Sequence, residues 1–362
     1  MEFIPDSPIL LGFESAVSYW RTLRADNDLK TKLLLESLYD RDRLGSIGDE
    51  EIAAESSLIP LDAPKITPRS ADALRDQLEI KGHIHLVVGR RNSRRRTAEV
   101  CSHIWHGPIP DGLICDLDDG IYVSGPEIIF MQMASVLDPI ELMQLGYELC
   151  GSYACSPVPG NPARPTHRPV TSVERLRFVC DLCRGITGYK NANRVLKYLA
   201  NGSRSPMESQ VATVLCLPKH AGGLGCNPPL LNHKIYLDDT ARAICNKSHL
   251  IMDMYFTDVG INFEYKGRGS HEGLEKQISD DLRSNALLHH DIETINLWSR
   301  SAYDEAQIRS LVEIVKRRQS RRRQDKREDS AVTKERRRQL LARLRELSLE
   351  AFGRQSWIDY GW

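Results

Sequence analysis

The sequence predicts a mixed α+β protein in two parts: an N-terminal mixed domain (1–154) and a C-terminal domain (205–300) whose elements run α-β-β-β-α-β. Three observations predict it. The chain has 362 residues, 41% apolar and 27% charged, which is ordinary for globular proteins and long enough for two cores. Runs with apolar residues at helical spacing interleave with short alternating runs in both halves. Between the halves, Cys155–Pro169 carries Pro157, Pro159, Pro162, Pro165 and Pro169, a density that helices and central strands do not tolerate. Residues 155–204 are therefore read as linker and helical connector, and 301–362 as a basic helical tail.

In the first part, Ala16, Tyr19, Trp20 and Leu23 mark a helix over Ser15–Leu23. Glu50–Pro68 is acidic, then punctuated by proline, and reads as a connector. Ser70 is placed to cap a short helix reaching Gln77. His83–Val88 alternates as a strand and runs into an arginine-dense turn, Arg90–Arg96. Strand-like runs follow at Ser102–Trp105 and Gly120–Val123. Gly125 and Pro126 then break the chain before two apolar helices, Ile128–Val136 and Ile140–Leu149. Helices are expected again over Ser172–Arg184 and Asn191–Leu199.

The second part opens at Ser205, where Ser at the N-cap, Pro206 at N1 and Glu208 at N3 form a capping box. Leu231–Leu237, His249–Phe256 and Ile261–Lys266 read as three strands, the last two joined by a turn at Asp258–Gly260. Leu274, Ile278, Leu282 and Leu287 recur at helical intervals, and Thr294–Trp298 makes a last strand. Asp304–Lys316 and Thr333–Leu349 complete the tail as helices.

Net charge is zero, but it is segregated. Lys316–Arg345 holds fourteen basic against four acidic residues, a net of +10, while Met1–Pro60 holds six basic against twelve acidic, a net of −6. Such segregation suits docking of a polyanion at one end, or a solvated helix kept charged for solubility. The first residues carry no basic, apolar leader and no run is long enough for a membrane span, so a cytoplasmic protein is expected. Nine cysteines, an odd number, point to reduced thiols rather than a disulfide framework. Cys180 and Cys183 have zinc-like spacing, but their nearest partners, Cys150 and Cys155, are poorly spaced, so buried helix cysteines are the simpler reading.

The residues that carry chemistry lie in Asp253–Lys266. Glu264 and Lys266, two apart on a strand, share a face, and the preceding hairpin brings Asp253 beside them. Two carboxylates there make a hard-oxygen site for Mg²⁺ or Mn²⁺. A neighbouring lysine can orient a water and steady charge on a phosphate. These are the parts that metal-assisted phosphodiester hydrolysis uses.

This segment resembles the PD-(D/E)XK nucleases. The resemblance implies an α-β-β-β-α-β core, with Asp253, Glu264 and Lys266 as the catalytic set and Glu208 as the acidic residue of the first helix, joining Asp253 and Glu264 around the metal. The residue before Asp253 is Met252, where the family name has proline. Within the superfamily, about Ser205 to Arg300 is similar to very-short-patch-repair-like endonuclease domains. Gly267 and His271 follow the acidic strand, then Asp280 and Arg283 on a helix, then Ile295–Trp298. Less closely, 1–154 resembles an AbiEi-type antitoxin or regulator domain, on an early Ser-Ala helix, Arg90–Arg96 and Gly120–Pro126. Together the resemblances imply a Mg²⁺-dependent DNA endonuclease in a bacterial repair, defence or mobile-element setting. The alternative is a non-catalytic DNA-binding regulator or antitoxin on a nuclease-like scaffold; no helix-turn-helix is legible.

Several of these residues carry a second reading. Glu208 serves as a metal-site acid or only as the capping partner of Ser205. His271 contacts phosphate or acts as an acid, or is an exposed loop histidine. Asp280 and Arg283 join the site or form a surface ion pair. Arg317, Arg318, Arg321, Arg322, Arg323, Arg336, Arg337 and Arg338 bind DNA phosphates, or belong to a soluble tail. Trp357, Tyr360 and Trp362 are apolar enough to dock on the body, on a protein partner or in a homodimer.

Overall fold

The computed structural model describes residues 3–25, 64–90, 95–110, 112–156, 158, 160–266, 274–298, 304–319 and 329–359. Gly267, His271, Arg321, Arg322, Arg323, Tyr360 and Trp362 lie outside them, as do the side chains of Lys266 and Trp357. The protein is mixed α+β and divides into two compact units, Met1–Val158 with Arg164–Lys197, and Pro159–Ala163 with Tyr198–Trp362.

The first unit is built on a five-stranded sheet in the order β3-β2-β1-β5-β4. These strands are β1 (Ile9–Leu11), β2 (Ile84–Val88), β3 (Val100–Ile104), β4 (Ile114–Asp116) and β5 (Ile121–Ser124). β1 is central, parallel to β5 and antiparallel to β2, and all three of its side chains are buried. Its helices are α1 (Phe13–Ala25), α2 (Pro68–Leu78), α3 (Pro126–Met133), α4 (Pro139–Leu149), α5 (Val173–Leu182) and α6 (Tyr189–Val195). Every residue of α3 is buried, so it is the axis on which the unit packs. Gln132 of α3 accepts from the Phe13 N–H at 3.0 Å and donates to the Ser124 hydroxyl at 3.0 Å.

Two expectations for this unit need correction. The N-cap of α2 is Thr67, whose hydroxyl accepts from the Ser70 N–H at 3.2 Å, because Pro68 starts the helix three residues earlier. The connector read over 155–204 is not separate: α5 and α6 belong to the first unit. The cause is buried Glu127 of α3, which takes Arg175 at 2.8 Å and the Thr171 hydroxyl at 2.5 Å. Asn191 of α6 also donates to the carbonyls of Ala134 and Leu137. Within 155–169 the prolines do not exclude pairing: β6 (Tyr153–Ala154) and β7 (Arg164–Pro165) form a two-residue ladder. Cys180 and Cys183 are buried thiols, pushed up by burial to about 11 and about 12.

The second unit holds a four-stranded sheet in the order β11-β10-β9-β8, where β8 is Leu230–Tyr236, β9 His249–Phe256, β10 Ile261–Lys266 and β11 Glu293–Trp298. β8, β9 and β10 are antiparallel neighbours, and β11 runs parallel to β10. Its helices are α7 (Pro206–Cys216), α8 (Asp239–Cys245), α9 (Leu274–His289), α10 (Glu305–Gln319) and α11 (Ala331–Asp359). Leu237, Ala241, Leu250, Met252, Ala286, Leu287 and Ile292 make a core shared by sheet, α8 and α9.

The tail helices are part of this unit. Ile308, Val312 and Val315 of α10 and Leu340, Leu341 and Leu344 of α11 are buried. The Gln210 amide of α7 donates to the Ser348 hydroxyl of α11 at 2.5 Å. Asp329 sits between Lys219 and Arg337, at 2.9 and 2.8 Å. Burial alone would raise its carboxyl, but hydrogen bonds and charge from Lys219 and Arg337 win and hold it at about 2, below the ordinary 3.8. A carboxyl lowered on folding adds stability above its unfolded value and loses it as pH falls through the folded one. Acid titration is therefore expected to cost wild type stability between about pH 4 and pH 2. Asp329→Asn should be less stable at neutral pH, and its unfolding midpoint should change less across that window.

Candidate active site in the second unit

α7 starts where Ser205 caps it, its hydroxyl accepting from the Glu208 N–H at 3.2 Å, with Pro206 in the first turn. The reciprocal half of the expected capping box is displaced by one residue. The Glu208 carboxylate takes the Arg204 N–H at 2.9 Å instead of that of Ser205. It also accepts from the Asn232 amide of β8 at 2.6 Å and the Ser205 hydroxyl at 3.2 Å. Burial pushes the Glu208 carboxyl above the usual range. The charge of Asp253 adds to this, and the hydrogen bonds from Arg204, Asn232 and Ser205 offset only part of it. Glu208 thus fills the capping role while lying within the field of Asp253.

Along β9, Leu250, Met252, Met254 and Phe256 are buried while Ile251, Asp253 and Tyr255 are half-buried, the period-two pattern of a strand with one core face. Phe263 of β10 pairs with Met254, so one step further Glu264 lies across from Asp253. An Asp253 oxygen accepts from the Tyr265 N–H at 3.0 Å. Glu264 is only 6% exposed. One of its oxygens meets Arg283 of α9 at 2.7 Å, and the other takes the Asn262 amide at 3.4 Å. Arg283 also donates to the Ile251 carbonyl.

The structure therefore sets Asp253 against Glu264 and brings Glu208 near Asp253, while Arg283 turns from a surface role to the site. Lys266 ends β10 opposite Trp298 of β11. Asn232, which the sequence places only at the entry to the first strand, and Asn262, which it does not single out, hold the carboxylates of Glu208 and Glu264. Their signal is weak in sequence, because amide contacts across strands need the register. Among the described residues, the ligand atoms of Glu208, Asp253 and Glu264 do not all gather within 4.8 Å of one another; one other group does.

The tail arginines differ in what they can reach. Arg317, Arg318, Arg336 and Arg338 are exposed. Arg317 lies 3.9 Å from Glu313 and Arg338 3.3 Å from Glu335. Arg318 bonds Glu293, and Arg336 donates to the His220 carbonyl at 2.9 Å. Arg337 is a correction to the phosphate-binding set. It is 0% exposed and donates to the carbonyls of Gly222 and Gly223 and to Asp329, so DNA cannot reach it.

No protein-family model matches the chain, and neither a curated protein nor a solved structure matches it. Among the described residues, no helix is long and apolar enough to cross a membrane.

Proposed function

We propose that the second unit is a PD-(D/E)XK-like nuclease domain that hydrolyses DNA phosphodiester bonds with Mg²⁺ or Mn²⁺. The observation that carries this reading is Asp253 opposed to Glu264 across β9 and β10, with the Glu208 carboxyl on the helix that precedes the sheet. The donor set fits the metal, since hard carboxylate oxygens suit these cations and no sulfur or imidazole is among them. Asp253 and Glu264 would hold the ion, and Glu208, held by the Asn232 amide and the Arg204 N–H, would join them only by moving closer. When bound, it would lower the pKa of a water and polarise the phosphate. Lys266 then steadies the charge that develops on the phosphate, and the exposed Arg317, Arg318, Arg336 and Arg338 draw in the backbone. Arg283 is the counter-charge that pairs with Glu264 at 2.7 Å. Purified protein is expected to nick or cut DNA with Mg²⁺ and to stop in EDTA; cleavage that survives exhaustive chelation would remove this mechanism.

One observation favours a second reading, a DNA-binding regulator or antitoxin that keeps the nuclease-like scaffold without catalysis. The Arg283 guanidinium already neutralises Glu264 at 2.7 Å. Calorimetric titration separates the two readings: saturable Mg²⁺ binding lost in Asp253→Asn supports the nuclease, and DNA binding without Mg²⁺ binding supports the regulator.

A further inference from the structure

A second cluster of ligand-type side chains lies in the first unit and does not depend on the nuclease reading. β2 and β3 are parallel, with His85 paired to Cys101 and Val87 to His103. Period-two alternation then puts His85, Cys101 and His103 on one face of the two strands. All three side chains are half-buried, and one ligand atom from each lies within 4.8 Å of the others. His85 Nδ1 is 2.8 Å from His103 Nε2 and also 2.8 Å from a carboxylate oxygen of Glu14, in the first turn of α1. The Glu14 side chain is half-exposed.

The rings are held in place. His85 and His103 stack at 5.1 Å between centroids and 14° between planes, and Phe13 stacks on His103 at 3.8 Å and 19°. Phe13 keeps that position with φ at +50°, a left-handed conformation that is an outlier for a bulky residue and costs about 1–3 kcal/mol. Its N–H is fixed on Gln132. His85 Nδ1 thus faces both a nitrogen of the His103 ring and a carboxylate oxygen of Glu14, and a single proton there serves only one of them.

We propose that His85, Cys101 and His103 bind a zinc-class divalent cation, with Glu14, whose carboxylate lies 2.8 Å from His85 but outside the three-residue group, swinging in as the fourth ligand. Two imidazoles, a thiolate and a carboxylate are the donor set of Zn²⁺ and not of Mg²⁺. A tetrahedral ion with metal–nitrogen bonds of about 2.0–2.1 Å needs its nitrogens about 3.3 Å apart. The two imidazoles therefore open by about half an ångström when the cation replaces the shared proton. Bound there, the ion ties α1 to β2 and β3.

The test uses the full chain, freed of metal by chelation and titrated with Co²⁺ as a spectroscopic stand-in. The expected result is saturation at one equivalent, with visible bands of a four-coordinate ion and a thiolate-to-cobalt charge-transfer band. Excess Zn²⁺ should erase both. Cys101→Ser should lose the charge-transfer band and weaken binding by tenfold or more, and His103→Ala should lose the four-coordinate spectrum. Glu14→Gln should shift the visible bands; an unchanged spectrum would remove Glu14 from the ligand set. Should a variant fail to fold, the wild type still decides: Zn²⁺ must slow alkylation of Cys101 and leave exposed thiols in denatured protein unprotected. The proposal is overturned by an octahedral, thiolate-free spectrum, by a charge-transfer band that persists in Cys101→Ser, or by Cys101 alkylation that Zn²⁺ does not slow.

Discussion

Asp253→Asn and Glu264→Gln are each expected to reduce Mg²⁺-dependent DNA cleavage by about 10³-fold, because each removes a charge from the metal's donor set while keeping side-chain volume. Lys266→Ala should lose a comparable factor, since metal and lysine act on one transition state. DNA affinity should fall by less than about threefold, as exposed arginines supply most of it. The two carboxylate variants should part company in stability. Asp253→Asn relieves the field that raises Glu208 and should be neutral or slightly stabilising. Glu264→Gln strips Arg283 of its carboxylate partner and should be destabilising, because the guanidinium is then left without its counter-charge in a half-buried place. Supercoiled-plasmid nicking, DNA-binding isotherms and thermal melts measure the three quantities. Undiminished cleavage in all three variants would place the chemistry elsewhere.

Arg337→Ala is expected to be the most damaging single change among the tail arginines, at about 3–5 kcal/mol. The guanidinium is fully buried and spans the carbonyls of Gly222 and Gly223 at 3.2 and 3.3 Å, Asp329 at 2.8 Å and Glu305 at 3.6 Å. Removing it leaves Asp329 ionised beside Lys219 alone and opens a side-chain-sized void in α11. Arg337→Lys should rescue little, because a single ammonium cannot copy the planar fork that serves two carbonyls and a carboxylate. Arg338→Ala, one residue on and exposed, should change stability by less than about 0.5 kcal/mol. Urea unfolding followed in the second unit measures the contrast. Equal, small effects at both positions would mean that α11 does not pack through Arg337.

That contrast also marks what the sequence could carry. A run of three arginines reads as a charged face when only composition is weighed. Yet Arg337 stands three, four and seven residues before Leu340, Leu341 and Leu344, the spacing of one helix face, so its burial was legible in the period. The strands around Asp253 and Glu264 were legible because they alternate and because a glycine turn separates them. β1 was not: three successive apolar residues, buried on both sides, have no alternation to detect. α8 was missed for its length, although Asp238 caps it by accepting the Ala241 N–H at 2.8 Å. The pairing of Arg283 with Glu264, and the meeting of His85 with Cys101 and His103, depend on tertiary contacts and strand register. Neither leaves a spacing in the chain.

The docking of α11 onto α7 has a consequence for how the chain is made. Gln210 meets Ser348 across 138 positions, and Arg337 reaches back to Gly222 and Gly223. Contacts of such separation close last, since the loop between them must be ordered first. On the ribosome, the first unit can settle while the second is still being synthesised. The second must wait until α11 has emerged, and until then it exposes the apolar flank of α7. Nascent chains stalled before residue 330 should therefore protect the first unit from protease and leave the sheet of the second open to cleavage.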